Sequence, residues 1–304
     1  MKNVINYYYN MDVLYIYKIN ELFYFNYNNN DYFFMIFDRK VEDIQNVYQI
    51  YIEVKKRKIV TNDIILNKDN KIITFIENVP YILIKDNTKG NRITLNDIIY
   101  MQNNTYNIFL NKKNKNNWIK LWEEKIDYYE NQINSISKFN NYLNDNIDFY
   151  IGLGENAISY LKYNNVIING LYLSHRRINI DKNSFDFYNP INYVIDNKVR
   201  DFAEYTKSLF FNTNFDFNKF VIYLDYMNYN RYDYIFLIAR LLFPTYYFDM
   251  LDSIISNNLD NITISVIVKK TDSYLFFIKK IMLYIVYQKG ISIPFIEWII
   301  KDVN

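Results

Sequence analysis

The chain holds one histidine, His175, in the run Ser174-His175-Arg176-Arg177, and two aspartates, Asp196 and Asp201, that follow the apolar pair Val194-Ile195. These residue types carry proton transfer and cation binding. An imidazole or carboxylate takes a proton, and an aspartate leaving a buried strand can hold Mg2+. As a base, however, the imidazole needs a carboxylate to orient it and a nucleophile to act on, and neither stands at motif spacing. A single histidine excludes a multi-histidine metal site. The absence of cysteine excludes disulfides, thiolate nucleophiles, iron–sulfur clusters and cysteine-ligated zinc. Asp201 heads the helix-like stretch Asp201-Phe202-Ala203-Glu204 and reads as a helix cap.

Phosphate-binding signals are as sparse. No GxGxxG or P-loop occurs, and none of the five glycines (Gly90, Gly152, Gly154, Gly170, Gly290) lies in the first hairpin. Gly152 and Gly154, placed at a helix start, suit a tight turn and close packing. No lysine stands in an Ala-x-Lys strand context, and Glu42 or Glu53 reads as a solvated helix charge. The run Lys112-Lys113-Asn114-Lys115 reads as a solvated loop. Core packing and a kink at Pro244 account for Arg240, Tyr246 and Tyr247.

The elements that would position these residues fall into two parts. Residues 13–37 contain three β-prone runs, the last two separated by the turn cluster Asn28-Asn29-Asn30-Asp31. A helix follows, with Val41, Ile44, Val47, Tyr48, Tyr51 and Val54 on one face and a basic C-terminal end. Three more strands are predicted, turning at Lys68-Asp69-Asn70 and Glu77-Asn78, with Pro80 opening the last. Strands, one helix and more strands make a small sheet with a helix on it. Beyond residue 92 helices dominate. Thr94 or Asn96 caps a short one. Asn117 caps a stronger one, with Trp118, Leu121, Trp122, Ile126, Tyr129, Ile133 and Ile136 repeating at helical spacing. Further helices are predicted over 151–163, 201–211, 232–255 and 273–288, with short apolar pieces around His175 and Val194. The expected domains are a β-rich 1–92 and a mainly helical 93–304, an α+β fold.

Composition narrows the function classes. Half of the residues are hydrophobic and 22% are charged, the balance of a folded protein. A net charge of +2 argues against an electrostatic nucleic-acid binder. The 33 Tyr and 23 Phe fit a coding bias toward A/T-rich codons, with Tyr serving as a core aromatic whose hydroxyl reaches water. The N-terminus does not read as a signal peptide, and no transmembrane segment is expected, since the apolar stretch 273–290 is interrupted by Lys279 and Lys280. Synthesis in the cytoplasm follows.

A β-rich lobe with one helix, followed by a helical lobe, is the layout of kinase-like phosphotransferases. The stretch from Trp118 to Tyr160, then Leu173-Ser174-His175-Arg176-Arg177-Ile178, Val194–Phe211, Leu237–Ile255 and Ile293–Ile300, resembles the CotS/YutH group of spore coat proteins. That group has the aminoglycoside phosphotransferase and choline kinase fold, a protein kinase-like two-lobe fold. The resemblance implies a mother-cell origin, a place on the spore surface, and coat or other cytoplasmic proteins as partners.

It also implies what is missing. Active relatives carry a His-Gly-Asp loop whose aspartate accepts the proton of the substrate hydroxyl. Here Arg177 stands in that place, and a guanidinium with a pKa above ~12 is no base. Asn179 and Asn183 are near, but not at, the metal-holding spacing. Under the resemblance, Asp196 matches the Mg2+-binding carboxylate, while His175 and Asp201 are structural. The expectation is a degenerate kinase-like protein with no cofactor. The alternative is a working phosphotransferase using ATP and Mg2+, with Asp196 on the metal and Asp181 or Asp186 replacing the lost base.

Overall fold

The computed structural model describes residues 1–88, 90–107, 117–139, 141–166, 172–257 and 262–301, and side chains other than those of 134–145, 257, 262 and 263. The lysine run at 112–115, Gly170 and the side chain of Ile136 lie outside the described residues. The chain forms two compact units, Met1–Asn111 with Leu171–Ile195, and Lys112–Gly170 with Asp196–Asn304.

In the first unit, α1 (Lys2–Tyr9) precedes the strands β1 (Tyr17–Ile19), β2 (Leu22–Tyr27) and β3 (Asn30–Ile36). Next come α2 (Ile44–Lys56), then β4 (Asp63–Ile65), β5 (Thr74–Ile76), β6 (Val79–Asp86) and α3 (Leu95–Asn104). Among the described residues the sheet is six-stranded and antiparallel, in the order β1-β2-β3-β6-β4, with β5 also on β6. Alternation along β3 divides its side chains between two cores. Phe34 packs with Ile5 and Tyr9 of α1, whereas Phe33 and Met35 pack with Val47 and Tyr51 of α2.

Asparagine does the turning. Among the described non-glycine residues, eleven have positive φ, and nine of these are Asn. Its short polar side chain tolerates the left-handed region better than any other non-glycine residue, which suits a chain with five glycines. Asn28 and Asn29 (φ 50° and 58°), and Glu77 and Asn78 (φ 50° and 66°), close two-residue hairpins where the turns were predicted.

The remaining elements of this unit are β7 (Tyr172–His175), the short α6 (Ser184–Phe187) and all but the last residue of β8 (Tyr193–Asp196), with β7 paired to β8. The intervening α4 (Trp118–Phe139) and α5 (Asn141–Tyr163) belong to the second unit, together with α7 (Val199–Asn212), α8 (Phe217–Tyr226), α9 (Arg231–Leu242), α10 (Thr245–Asn257), α11 (Ile262–Leu283) and α12 (Glu297–Ile300). Trp122 stacks on Phe243 at 4.4 Å, and Tyr150 on Tyr247 at 3.6 Å. Gly154 sits inside α5 rather than at a helix start. A Cβ there would lie 2.5 Å from the Ile126 side chain, so the glycine permits the close approach of α4.

Several expectations shift. Val41 is exposed in a 3-10 turn ahead of α2, and Leu121 is exposed on α4. The helices predicted from 151 and 273 begin at Asn141 and Ile262. α1 and α8 were not anticipated, because their polar asparagines and tyrosines mask the apolar stripe. Thr94 is the cap of α3, with Asp97 closing a capping box. The Asn117 side chain accepts from Lys120 N at the start of α4. The segment Arg231–Ser256 has the length and mean hydropathy to cross a membrane, but 78% of its apolar 18-residue window is buried in the fold. Between its two helices lies Pro244.

Candidate functional site

The His175 loop is built within the first unit. His175 ends β7 with 1% exposure, and its Nε2 lies 2.8 Å from the Phe187 carbonyl. A carbonyl only accepts, so Nε2 carries the hydrogen in this contact. The ring stacks on Phe187 at 4.2 Å and meets the edge of Tyr193 at 5.6 Å. Ser174 is buried beside it. Arg176 donates its backbone N–H to Asn192 and pairs with Asp38 at 2.8 Å, whereas Arg177 is exposed. The two nearby asparagines serve local turns: Asn179 Oδ1 accepts from Asp181 N and Lys182 N, and Asn183 Oδ1 caps α6 through Asp186 N. Asp181 is exposed, and Asp186 faces Lys182 at 3.7 Å.

Asp196 is held within the second unit and is fully buried. Its Oδ1 accepts from the Trp118 indole N–H at 2.9 Å and from Asn197 N at 2.7 Å. Its Oδ2 accepts from Arg200 Nη1 at 2.7 Å, with Arg240 Nη2 at 3.9 Å. The Arg240 guanidinium lies 4.1 Å from the Trp118 ring centre and donates to Glu204 Oε1 at 3.2 Å. Glu204 and Lys207 pair at 2.9 Å one helical turn apart on α7.

Lys207 also explains how the break at Pro244 is tolerated. Proline has no N–H for the carbonyl of Arg240 four residues back. The buried Lys207 ammonium donates to that carbonyl at 3.0 Å, to Phe243 O at 3.2 Å and to the Thr245 hydroxyl. Burial lowers the pKa of Lys207, with Glu204 opposing the shift. Burial would raise the Glu204 carboxyl, but Lys207 and Arg240 outweigh it and hold it down at about 2.

Asp201 is the third residue of α7 rather than its cap, with 2% exposure. The helix starts after Lys198, and Asn197 Oδ1 accepts from Val199 N. Sequence reasoning found Asp196 but missed its cage. Arg200 at i+4 was a legible signal, as was Lys207 three residues after Glu204. Nothing local marked Arg240 or Trp118 as their partners.

On the first unit's sheet, β3 reads Asn-Asp-Tyr-Phe-Phe-Met-Ile and carries no basic residue. Phe33 meets Phe185 of α6 at 4.0 Å, and Asn189 Nδ2 lies 3.6 Å from Met35 Sδ. The β1–β2 hairpin is closed by Asn20 and Glu21 alone. Glu53 on α2 pairs with Lys56 of its own helix at 2.7 Å.

A divalent cation needs carboxylate oxygens open to it. Both oxygens of Asp196 are engaged by N–H donors. Among the described residues, no group of three or more His, Asp or Glu is gathered to hold a metal. The residues present do not fit a magnesium site at Asp196.

Comparison with known proteins places the fold. An aminoglycoside phosphotransferase from Alicyclobacillus acidocaldarius is similar with a TM-score of 0.70 at 9% identity, covering 92% of this chain and 95% of that one. An amicoumacin kinase, solved with AMP-PNP, Ca2+ and amicoumacin, gives 0.59 at 10% identity over 92% and 91%. Both carry the α+β two-lobe kinase-like fold, a small β-rich lobe with one helix and a larger, mostly helical lobe. The endospore coat-associated protein YutH of Bacillus subtilis is 28% identical over 156 residues, 45% of each chain, so the match spans less than half of that relative. Residues 2–275 match the family described as "Spore coat putative kinase YutH". The chain belongs to the YutH family of kinase-like spore coat proteins.

Proposed function

We propose that this chain is a catalytically degenerate member of its family, acting in the spore coat by binding or assembly with other proteins rather than by phosphoryl transfer. It is made in the mother-cell cytoplasm and incorporated at the spore surface, the location that the name of its Bacillus subtilis relative implies. One observation carries the reading: the carboxylate at the metal-holding position is fully buried, with donors on both oxygens. Freeing it for Mg2+ would strand Arg200 without its 2.7 Å partner, a cost of several kcal/mol for a buried ion pair.

Three further features support the reading. Arg177 stands where the proton acceptor is needed, β3 offers no lysine, and the first hairpin is too short and glycine-free to cover phosphates. A working phosphotransferase would require Asp181 or Asp186 as base, yet Asp186 is engaged at the start of α6.

The test is thermal denaturation of the full chain with ATP and Mg2+. No rise in Tm is expected, because only a ligand of the folded state raises it. A rise of several degrees that Asp196→Ala abolishes, or steady γ-phosphate transfer from ATP, overturns the proposal.

A further inference from the structure

The aromatic face of the small sheet extends this reading from catalysis to nucleotide recognition, and it rests on the degenerate assignment above. In the protein kinase pattern Val-Ala-Ile-Lys, the β3 lysine reaches the α/β-phosphates, so the nucleotide lies along the face that this lysine shares with the alanine two residues earlier. In this chain the β3 residues on the α2 face are Phe33 and Met35. A methyl group at the first position leaves room for a flat base. A phenyl ring removes it.

The space next to Phe33 is filled as well. Phe185, 4% exposed, sets its ring centre 4.0 Å from that of Phe33 at 38°, and belongs to the core with Ile82, Ile84 and Ile191. Phe33 in turn faces Tyr24 at 5.4 Å. The plug is fastened on both sides. Asn62 Nδ2 donates to the Phe185 carbonyl at 3.0 Å, Asn62 N donates to Tyr188 O at 2.9 Å, and Ser184 N donates to Asn91 O at 2.6 Å.

We propose that Phe185 is an internal substitute for a nucleotide base: stacked on Phe33, it fills the sheet position where a kinase-like phosphotransferase seats the purine, and it closes that face to adenine nucleotides. Removing either ring leaves a slot lined by apolar side chains, and such slots stay dry and accept aromatic rings.

The experiment uses full-length wild type, Phe185→Ala and Phe33→Ala, with adenosine as probe and calorimetry beside thermal denaturation. Wild type is expected to be silent. Each alanine variant is expected to bind adenosine and to gain about 3 °C in Tm at tenfold excess over Kd. If both lack a cooperative transition, Phe33→Leu keeps most of the volume and is expected to gain at least about tenfold in adenosine affinity over wild type, an energy of about 1.4 kcal/mol. Folded alanine variants that ignore adenosine, or Phe33→Leu with no gain, overturn the plug. So does wild-type binding of adenosine, which leaves the degenerate reading intact if Mg2+ and Asp196→Ala have no effect on it. A wild-type ATP–Mg2+ shift that Asp196→Ala abolishes sinks the degenerate reading itself.

Discussion

On the proposed reading, the loop around His175 and the cage around Asp196 have lost the same chemistry by different physical routes. The loop loses it by substitution. Its base position holds an exposed Arg177, while the histidine is a buried brace against the Phe187 carbonyl at 2.8 Å. The cage keeps its aspartate and neutralises it, surrounding the carboxylate with Arg200, Trp118 and Arg240, which Glu204 and Lys207 hold in turn. A surface substitution costs little stability, whereas a buried charge becomes dependent on every partner it has acquired. The two losses should therefore respond very differently to mutation.

The largest effect is expected in the cage. Arg240→Met leaves Asp196 and Glu204 short of a buried cation, and should cost about 3–5 kcal/mol in denaturant unfolding. A loss below about 1 kcal/mol would mean that the cage is not a mutually dependent network. In the loop, His175→Ala removes the donor from Phe187 O and a stacked ring, for about 2–3 kcal/mol. A cost exceeding that of Arg240→Met would reverse the comparison.

A third test is confined to acid. The Glu204 carboxyl is held at about 2 in the folded chain against an ordinary value of 4.5. Its contribution is therefore complete above pH 4.5 and is lost as the pH falls toward about 2. Unfolding midpoints of wild type should drop through that window. Glu204→Gln, less stable at neutral pH, should show a shallower drop, and parallel curves would remove Glu204 from the network. The smallest effect belongs to Arg177→Asp. Stability should stay within about 0.5 kcal/mol, and no γ-phosphate transfer should appear. Transfer restored by this one change would show that Asp196 is still competent.

Much of the fold was legible because it is written locally. Paired asparagines at 28–29 and the Glu77-Asn78 pair place hairpins through backbone preferences of the turn residues themselves. The stripe Ile44, Val47, Tyr51, Val54 announces α2 through the 3.6-residue period. Where that period was interrupted, as by the asparagines of α1, the reading fell short, because the burial of Ile5 and Tyr9 comes from packing against the strands. Asp201 was read as a cap from its acidic neighbourhood, yet the helix starts at Val199, whose N–H donates to Asn197 Oδ1, and leaves Asp201 at its third position.

By itself the sequence determined what this chain lacks: cysteine, a second histidine, a lysine on β3 and a carboxylate at position 177. An absent side chain is absent in every conformation. Only the tertiary structure decided what the surviving groups do. Asp196 looks like a metal ligand until Trp118 and Arg240 close on it, and Phe33 and Phe185 look like ordinary core residues until they meet ring to ring. Burial and long-range pairing set a charge's partners and a ring's neighbours, and neither quantity can be read from spacing along the chain.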